Sequence, residues 1–239
     1  MSGHSHWSSI KYQKSATDAK RSKTFSKLAR LIAVAAREKG GDSNFNPSLR
    51  IAIEKAHSFN MPKEKIENAI KKGTGELEGV SFEEFTFEAY GPGGIAIIVE
   101  GITDNRNRSI GEIKQILAKH GGKLAEEGSV KWMFERKGCI IVNTQEQDKE
   151  DLELKVIEAG AEDTCWEKDS LAVYTRIEDL EKVKKELESR DLKIESSSLE
   201  WVAKENIEID EKNKQSCHEL FELLDENDSV QEIYSNFSF

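Results

Sequence analysis

The run of residues 138–199 constrains the fold of this chain more than any other stretch. Its residues predict a strand over GCIIVNT, a helix over KEDLELKVIEAG and a strand over EDTCWEK. They then predict a strand over SLAVYTR, a helix over IEDLEKVKKELESRD and a strand over KIESSSLEW. The order β-α-β-β-α-β is the ferredoxin-like split βαβ pattern. We therefore predict a ferredoxin-like βαββαβ domain over residues 137–201.

The residues on both sides of this unit predict further strands and helices. FTFEAYG alternates between apolar and polar side chains and IAIIVEGIT is more continuously apolar, so both are predicted strands. Ser109 and Glu112 have the spacing of a capping box, which predicts a helix from Ile110 to Gly121. Strands are also predicted over SVKWMFER, VAKENIEID and VQEIYSNF, with a helix over NKQSCHELFELLDEN.

These flanking segments predict one discontinuous domain. Neither 80–136 nor 202–239 makes a satisfactory closed sheet by itself, so we predict that they form a single α+β domain into which the ferredoxin-like unit is inserted. The stretch between its first two strands predicts a tight hairpin turn. The residues of this structural turn are Gly91, Pro92, Gly93 and Gly94.

The first 76 residues predict an arm followed by three helices. Residues 1–15 are polar and lack helical periodicity, so they are predicted to form an arm. The helices are predicted over about 17–39, from Asn46-Pro47 onward, and from Pro62 to Gly73. The chain is thus predicted to be α+β with three domains, namely residues 1–76, residues 80–136 with 202–239, and residues 137–201.

Charge is divided unevenly along the chain. The whole protein carries a net charge of -10, yet residues 1–72 hold 15 basic and 6 acidic side chains, a net of +9. The remaining residues hold 20 basic and 39 acidic side chains, a net of -19. Such an asymmetry favours contact of the basic end with a polyanion over a merely solvated basic face.

The arm and the first helix supply the candidate nucleic-acid contacts. Lysine and arginine contact phosphates without reading sequence, and aromatic rings stack on unpaired bases. Trp7 is predicted equally well as a stacking ring or as core, whereas Phe25 is predicted to be core because it lies on the apolar helix face. The candidates in this segment are His4, His6, Trp7, Lys11, Tyr12, Lys14, Lys20, Arg21, Lys23, Lys27 and Arg30.

A second candidate site is TDNRNRS, residues 103–109. It joins the end of a predicted buried strand to a capped helix N-terminus, where free backbone N–H groups and the helix dipole attract anions. Arg106 and Arg108 add positive charge there. An equally good interpretation is an ordered turn in which Asp104, Asn105 and the arginines satisfy one another.

No enzyme motif occurs in the sequence. There is no P-loop, no dinucleotide-binding loop and no nucleophile elbow, and His4 and His6 have no neighbouring residues that complete a zinc site. We therefore predict a protein that is not an enzyme, with no catalytic residue, no cofactor, no metal and no small-molecule substrate.

The cysteines and the apolar runs predict the compartment. The three cysteines are far apart and lack C-x-x-C spacing, which indicates a reduced cytosolic setting. LIAVAA and GIAIIVEG are too short to cross a bilayer, which needs about 20 apolar residues. The basic N-terminus is not followed by the apolar stretch of a secretory signal. We expect a cytoplasmic protein with no membrane partner.

Several blocks of the sequence resemble one known family. They include MSGHSHWSSIK, DAKRSKTFSKLAR, AAREKGGD, NPSLRIAIEKA, NMPKEKIENAIKKG, EAYGPGG, TDNRNRS, KHGGKL, GSVKWMF and DSVQEIYSNF. Over essentially its full length the chain is similar to the YebC family of bacterial and organellar regulators, which includes the mitochondrial translational activator of cytochrome c oxidase subunit I. The arm departs from relatives at His6, Tyr12 and Gln13, where they often carry positive charge.

The resemblance implies a fold and a function. It implies three domains, neither catalysis nor a cofactor, and functional positions in the N-terminal basic segment, the GPGG turn and the TDNRNR loop. Members of the family are described as DNA-binding transcriptional regulators or as ribosome-associated proteins that act in translation. We therefore expect a monomeric regulator of gene expression that binds RNA or DNA and has the ribosome as one candidate partner, with ribosomal or transfer RNA favoured.

Two alternatives remain open. One is a DNA-binding transcriptional regulator. The other is a protein-interaction module that acts through the acidic α/β domains.

Overall fold

The protein has an α+β fold, as the sequence predicted. The computed structural model describes residues 5–6, 18–144, 148–167 and 170–237, and the side chains of residues 5, 6, 18–20 and 167 lie outside that description. The described residues form two compact units, one of residues 134–206 and one of residues 5–133 with 207–237. The N-terminal helices and the discontinuous α+β segment thus share one unit, and the division into three domains stays a prediction.

The helices and strands are numbered in chain order. The described helices are α1 (Asp18–Lys39), α2 (Pro47–Ser58), α3 (Lys63–Thr74), α4 (Arg106–Lys119), α5 (Lys149–Glu158), α6 (Leu180–Ser189) and α7 (Glu211–Glu226). The described strands are β1 (Ser5–His6), β2 (Glu83–Tyr90), β3 (Ala96–Thr103), β4 (Lys123–Leu124), β5 (Phe134–Asn143), β6 (Asp163–Glu167), β7 (Ser170–Thr175), β8 (Ile194–Ala203) and β9 (Val230–Ser235).

The first three helices pack around a small apolar core of their own. Phe25 and Ile32 of α1 are buried there with residues of α2 and α3, which confirms that Phe25 is core. Asn46 is the N-cap of α2, as predicted, because its Oδ1 accepts a hydrogen bond from the Leu49 backbone N–H. Its Nδ2 also donates to the carbonyl oxygen of Ala35 at 2.8 Å, which ties α2 to α1.

A five-stranded antiparallel sheet follows, in the order β1-β9-β3-β2-β4. Helices α4 and α7 contribute Ile113, Leu117 and Leu220 to a core that also contains Ile97 and Val99 of β3. The predicted GPGG hairpin is confirmed, since β2 and β3 pair directly across it from Tyr90 opposite Ala96. Its Gly93 and Gly94 have φ of 70° and 80°, a region that favours glycine.

The unit of residues 134–206 contains an antiparallel four-stranded sheet in the order β6-β7-β5-β8. Its elements follow the predicted order β-α-β-β-α-β. Helices α5 and α6 bury Leu152, Val156 and Leu187 in a core with Ile140 and Val173. Strands β5 and β8 begin or end a few residues outside 137–201, because they pair from Phe134 opposite Ala203 onward.

Three local predictions were wrong. Helix α4 begins at Arg106, not Ile110, because Asn105 is the N-cap and accepts a hydrogen bond from the Arg108 backbone N–H. The predicted strand VAKENIEID ends at Ala203, and the chain has no strand from there to α7. The predicted strand SVKWMFER begins only at Phe134, after a short 3-10 turn. Strand β1 lies within the predicted arm and pairs with β9.

Candidate nucleic-acid interface

Lys27, one of the predicted nucleic-acid contacts on α1, faces the protein interior. Its side chain is buried, with only 6% of the residue exposed. Its Nζ donates to the backbone carbonyl oxygen of Asp225 at 2.6 Å and lies 3.1 Å from the Asp225 carboxylate. Both acceptors lie in the last turn of α7, where helix carbonyls lack internal partners. This lysine therefore holds α1 against the end of α7.

Lys23 and Arg30 flank Lys27 and meet the same segment. The Lys23 Nζ donates to the carbonyl oxygen of Glu226 and lies 3.7 Å from the Asp228 carboxylate. Arg30 donates to the carbonyl oxygens of Asp228 and, at 3.5 Å, of Ile102. Positive charge at a helix C-terminus is favourable because the helix dipole is negative there. Three of the predicted phosphate-binding cations thus contact protein acceptors.

Arg21 presents a different environment on the same helix. The residue is exposed, and its guanidinium carbon lies 5.5 Å from the centroid of the buried Phe25 ring. The Nζ of Lys65, an exposed residue of α3, lies 5.0 Å from the same centroid. Both are cation–π contacts. The two helices therefore bring a pair of exposed cations together around one ring.

Lys65 is missing from the residues that the sequence predicted. It lies in KEKIENAIKK, where lysines and glutamates are mixed, so no single residue there is distinguished by charge. Its proximity to Arg21 depends on the packing of α3 against α1, which a linear pattern does not reveal.

The predicted arm lies mainly outside the described residues. His4, Trp7, Lys11, Tyr12 and Lys14 all fall there. The backbone of His6 is described and pairs with Tyr234 of β9, and Lys20 lies on α1, but neither side chain is described. Binding by these residues stays a prediction.

The second candidate site is the first turn of α4. Arg108 is exposed and forms ion pairs with Asp104 and, at 3.8 Å, with Glu112. This is the mutual satisfaction that one of the two sequence interpretations expected. The guanidinium carbon of Arg106 lies 5.3 Å from the centroid of the Phe87 ring. Both arginines lie within the helix, since it begins four residues earlier than predicted, and phosphate binding there stays a prediction.

Comparison with known proteins gives the family of the chain. A family model described as the TACO1/YebC protein N-terminal domain matches residues 5–76. A second, described as the TACO1/YebC second and third domain, matches residues 82–237. The chain belongs to the TACO1/YebC family.

Similar TACO1/YebC relatives cover the full chain. A probable transcriptional regulatory protein of Halothermothrix orenii is 49% identical over 99% of this chain and 95% of the relative. A protein of the same name from Persephonella marina is 49% identical over 99% of this chain and 96% of the relative. The crystal structure of a conserved hypothetical protein, Aq1575 of Aquifex aeolicus, is 46% identical and superposes with a TM-score of 0.88, covering 94% of this chain and 93% of that one.

Among the described residues, no three His, Cys, Asp or Glu side chains cluster as metal ligands. Burial raises the pKa of the Cys217 thiol to about 11, so this cysteine is protonated at neutral pH and is a poor nucleophile. No helix in the described part of the chain is long and apolar enough to span a bilayer.

Proposed function

We propose that this protein is a non-enzymatic, nucleic-acid-binding regulator of gene expression that acts in translation through ribosomal or transfer RNA. The observation that carries the proposal is the division of charge, a net of +9 over residues 1–72 against -19 over the rest. A polyanion is attracted to the first part and repelled by the second. The name that the relatives bear, probable transcriptional regulatory protein, supports a role in gene expression.

The proposed contact surface consists of cations of the arm, α1 and α3. Arg21 and Lys65 lie together at its described end, and the predicted arm adds further lysines to it. The positions assigned to it are Lys11, Lys14, Lys20, Arg21 and Lys65. Lys23, Lys27 and Arg30 contribute indirectly. They hold α1 against the C-terminal end of α7 and the residues after it, and so fix the orientation of the helix that carries Arg21.

RNA is favoured by the aromatic residues of the arm. Trp7 and Tyr12 alternate with lysines in the sequence, an arrangement suited to stacking on unpaired bases. Arg106 and Arg108 are proposed as a secondary phosphate contact, since both are exposed on the first turn of α4.

A salt series tests the proposed surface. The double variant Arg21→Ala/Lys65→Ala is compared with Lys182→Ala/Lys185→Ala, which removes two exposed lysines from α6 in the other compact unit. We expect the first variant alone to bind single-stranded RNA more weakly. Loss of two phosphate contacts should reduce the slope of log K against log salt by about 1.4. An unchanged affinity and slope would reject this surface.

The first alternative is a DNA-binding transcriptional regulator, which the printed name of the relatives favours. Footprinting on promoter DNA distinguishes it. Protection of a defined sequence that persists at moderate salt would support the alternative, because non-specific phosphate binding weakens steeply with salt.

The second alternative is a protein-interaction module, which the net charge of -19 over residues 73–239 favours. Co-sedimentation with ribosomes distinguishes it. Association that survives nuclease treatment and is lost on removal of residues 73–239 would support a protein partner for the acidic domains.

A further inference from the structure

Helix α5 carries two large aliphatic side chains on its solvent side. Leu154 is 61% exposed and Ile157 is 60% exposed. They are three positions apart, so they lie on the same face of the helix about one turn apart. The other side of α5 packs in the core of the unit, since Leu152 and Val156 are fully buried there. Leu154 and Ile157 thus form an exposed apolar pair.

The second helix of the same unit has no such pair. Every apolar residue of α6 is buried. The solvent side of a surface helix is normally polar, and α6 follows this rule. Its exposed residues are Lys182, Lys185, Glu186, Glu188 and Ser189. The apolar pair of α5 is therefore not a general feature of this unit, and it leaves aliphatic surface open to a partner.

Acidic side chains border the apolar pair. On a helix surface, the neighbours of a residue are those three and four positions away. For Leu154 these are Glu150, Asp151, Ile157 and Glu158. Glu153 is the residue four positions before Ile157. Apart from each other, the two aliphatic side chains thus have only acidic neighbours on the helix itself.

The surrounding cations neutralise only part of this charge. Lys155 pairs with Asp151 at 2.6 Å, and Arg190 pairs with Glu158 at 2.8 Å. In the part of the chain that the structure describes, Glu150 is exposed and has no ion-pair partner. Residues 134–206 as a whole hold 12 basic and 20 acidic side chains, a net of -8. The apolar pair therefore lies in a negative potential.

Both ends of α5 are fixed, so the pair is presented in a defined direction. Asp148 caps the helix, because its carboxylate accepts hydrogen bonds from the backbone N–H groups of Glu150 at 3.0 Å and Asp151 at 3.2 Å. Near the other end, Arg190 donates to the carbonyl oxygen of Lys155 at 3.3 Å. A partner would meet a preformed surface.

We propose that this face of α5 docks a basic segment of another protein. Apolar side chains of the segment would cover Leu154 and Ile157, and its lysines or arginines would meet Glu150 and the neighbouring carboxylates. An uncharged apolar segment would bury those carboxylates without partners, which is costly. The inference goes beyond the proposed function and does not depend on RNA binding, since it concerns a different surface and a different class of partner.

The charge argues against two other occupants. RNA phosphates would be repelled by the carboxylates around the pair. A second copy of the chain, related by two-fold symmetry, would use the same patch on both sides and so bring these carboxylates against their equivalents. A basic segment matches both the aliphatic surface and its border.

The test uses the full chain and a labelled synthetic peptide with leucines and lysines at helical spacing. Leu154→Gln/Ile157→Gln removes the apolar pair while keeping the net charge and a good helix former. We expect binding to weaken at least about 10-fold, because the burial of two aliphatic side chains is lost. Val80→Gln/Ile177→Gln, which changes two other exposed aliphatic residues, is the matched control and should bind as the unaltered protein does. Equal binding by all three proteins would overturn the proposal.

The acidic border is tested separately. Glu150→Gln should weaken binding of the same peptide about 1.4- to 5-fold at low salt, the range for one exposed ion pair, and the difference should vanish at high salt. Glu178→Gln, an exposed glutamate outside α5, is the control and should have no effect. A peptide with glutamate in place of lysine should not bind. Binding of that peptide as tightly as the lysine peptide would overturn the choice of a basic partner.

RNA binding separates this inference from the proposed function. Leu154→Gln/Ile157→Gln should bind single-stranded RNA as the unaltered protein does, and a loss of RNA affinity would overturn the protein partner. If the unaltered protein binds the lysine–leucine peptide but no RNA, the proposed function is wrong while this inference stands.

Crosslinking in cells gives an independent readout. With a photo-crosslinking amino acid in place of Leu154, the crosslinked peptides should be basic and should belong to other proteins. Mass spectrometry of the crosslinked peptides identifies them. Crosslinks to this chain itself, crosslinks to acidic segments, or no crosslink at all would overturn the proposal.

Discussion

Lys27 and Asp225 are 198 residues apart in the chain and are joined by two contacts, one to the carboxylate and one to the backbone carbonyl of the same residue. The pair joins the first helix to the last, so Lys27 contacts protein and not solvent. The cations of α1 therefore fall into two groups. One group positions the helix, and Arg21 is left exposed beside Lys65.

Replacing Lys27 by Met should destabilise the protein. Methionine keeps the length of the side chain but leaves the acceptors of Asp225 without their cation, which costs roughly 1–3 kcal/mol in free energy of unfolding. Urea denaturation measures this loss. Lys39→Met, at the exposed end of the same helix, is the matched control and should change stability little. Equal stability of the two variants would contradict the role of the junction.

Glu88→Gln should lower stability and change its dependence on pH. The pKa of Glu88 is depressed in the folded state, so its contribution is present above the ordinary carboxyl pKa of 4.5 and is lost as the pH falls through the lower folded value. Loss of the charged acceptor should cost roughly 1.5–3 kcal/mol near neutral pH.

The difference in unfolding free energy between the unaltered protein and Glu88→Gln should therefore shrink as the pH is lowered below 4.5. Chemical denaturation at a series of pH values measures it. Glu83→Gln, on the same strand but exposed, serves as the control. The Glu88 carboxylate accepts hydrogen bonds from the backbone N–H groups of residues 128, 130 and 131. A difference that is constant with pH would show that the charge of this carboxylate does not stabilise that segment.

Two glycine-to-alanine substitutions should have opposite signs. At Gly101 an added Cβ would lie 2.2 Å from both the Phe85 ring and the carbonyl oxygen of Ser229, so the sheet must shift and stability should fall by about 1–3 kcal/mol. At Gly111, inside α4, nothing lies within 4 Å, and alanine should stabilise by roughly 0.5–1 kcal/mol. Thermal denaturation of both variants checks the signs.

Cys217 should resist thiol reagents in the native protein. It is fully buried and its pKa of about 11 keeps it protonated, whereas Cys165 is partly exposed. A disulfide reagent that labels thiols by exchange at pH 8 should therefore react with Cys165 first, and with Cys217 only after unfolding by denaturant. Mass spectrometry of the labelled peptides gives the order, and rapid native labelling of Cys217 would contradict its burial.

The helices and hairpins that follow from local signals were predictable. Asn46-Pro47 marks the start of α2, and the apolar alternation before GPGG marks β2, because both depend on neighbours within a few residues. The start of α4 was misplaced for a physical reason. Ser109 looked like a cap, but its hydroxyl is buried and bonds to the hydroxyls of Thr103 and Ser229, while Asn105 provides the cap.

The candidate site was less predictable than the fold. Charge counting found the basic end of the chain, but it grouped Lys23, Lys27 and Arg30 with Arg21 as candidate nucleic-acid contacts. Their separation depends on residues 225–228, which lie about 200 positions away and which no local pattern connects to α1.

The junction at Lys27 also has a consequence for the newly made chain. The helix that carries the lysine leaves the ribosome early, but its partner segment and the strand that pairs with Ser5 and His6 are synthesised last. At 5–20 residues per second, the delay is roughly 10–40 s. During that interval Lys23, Lys27 and Arg30 lack their partners in residues 225–228. The emerging chain therefore presents more positive charge than the finished molecule does.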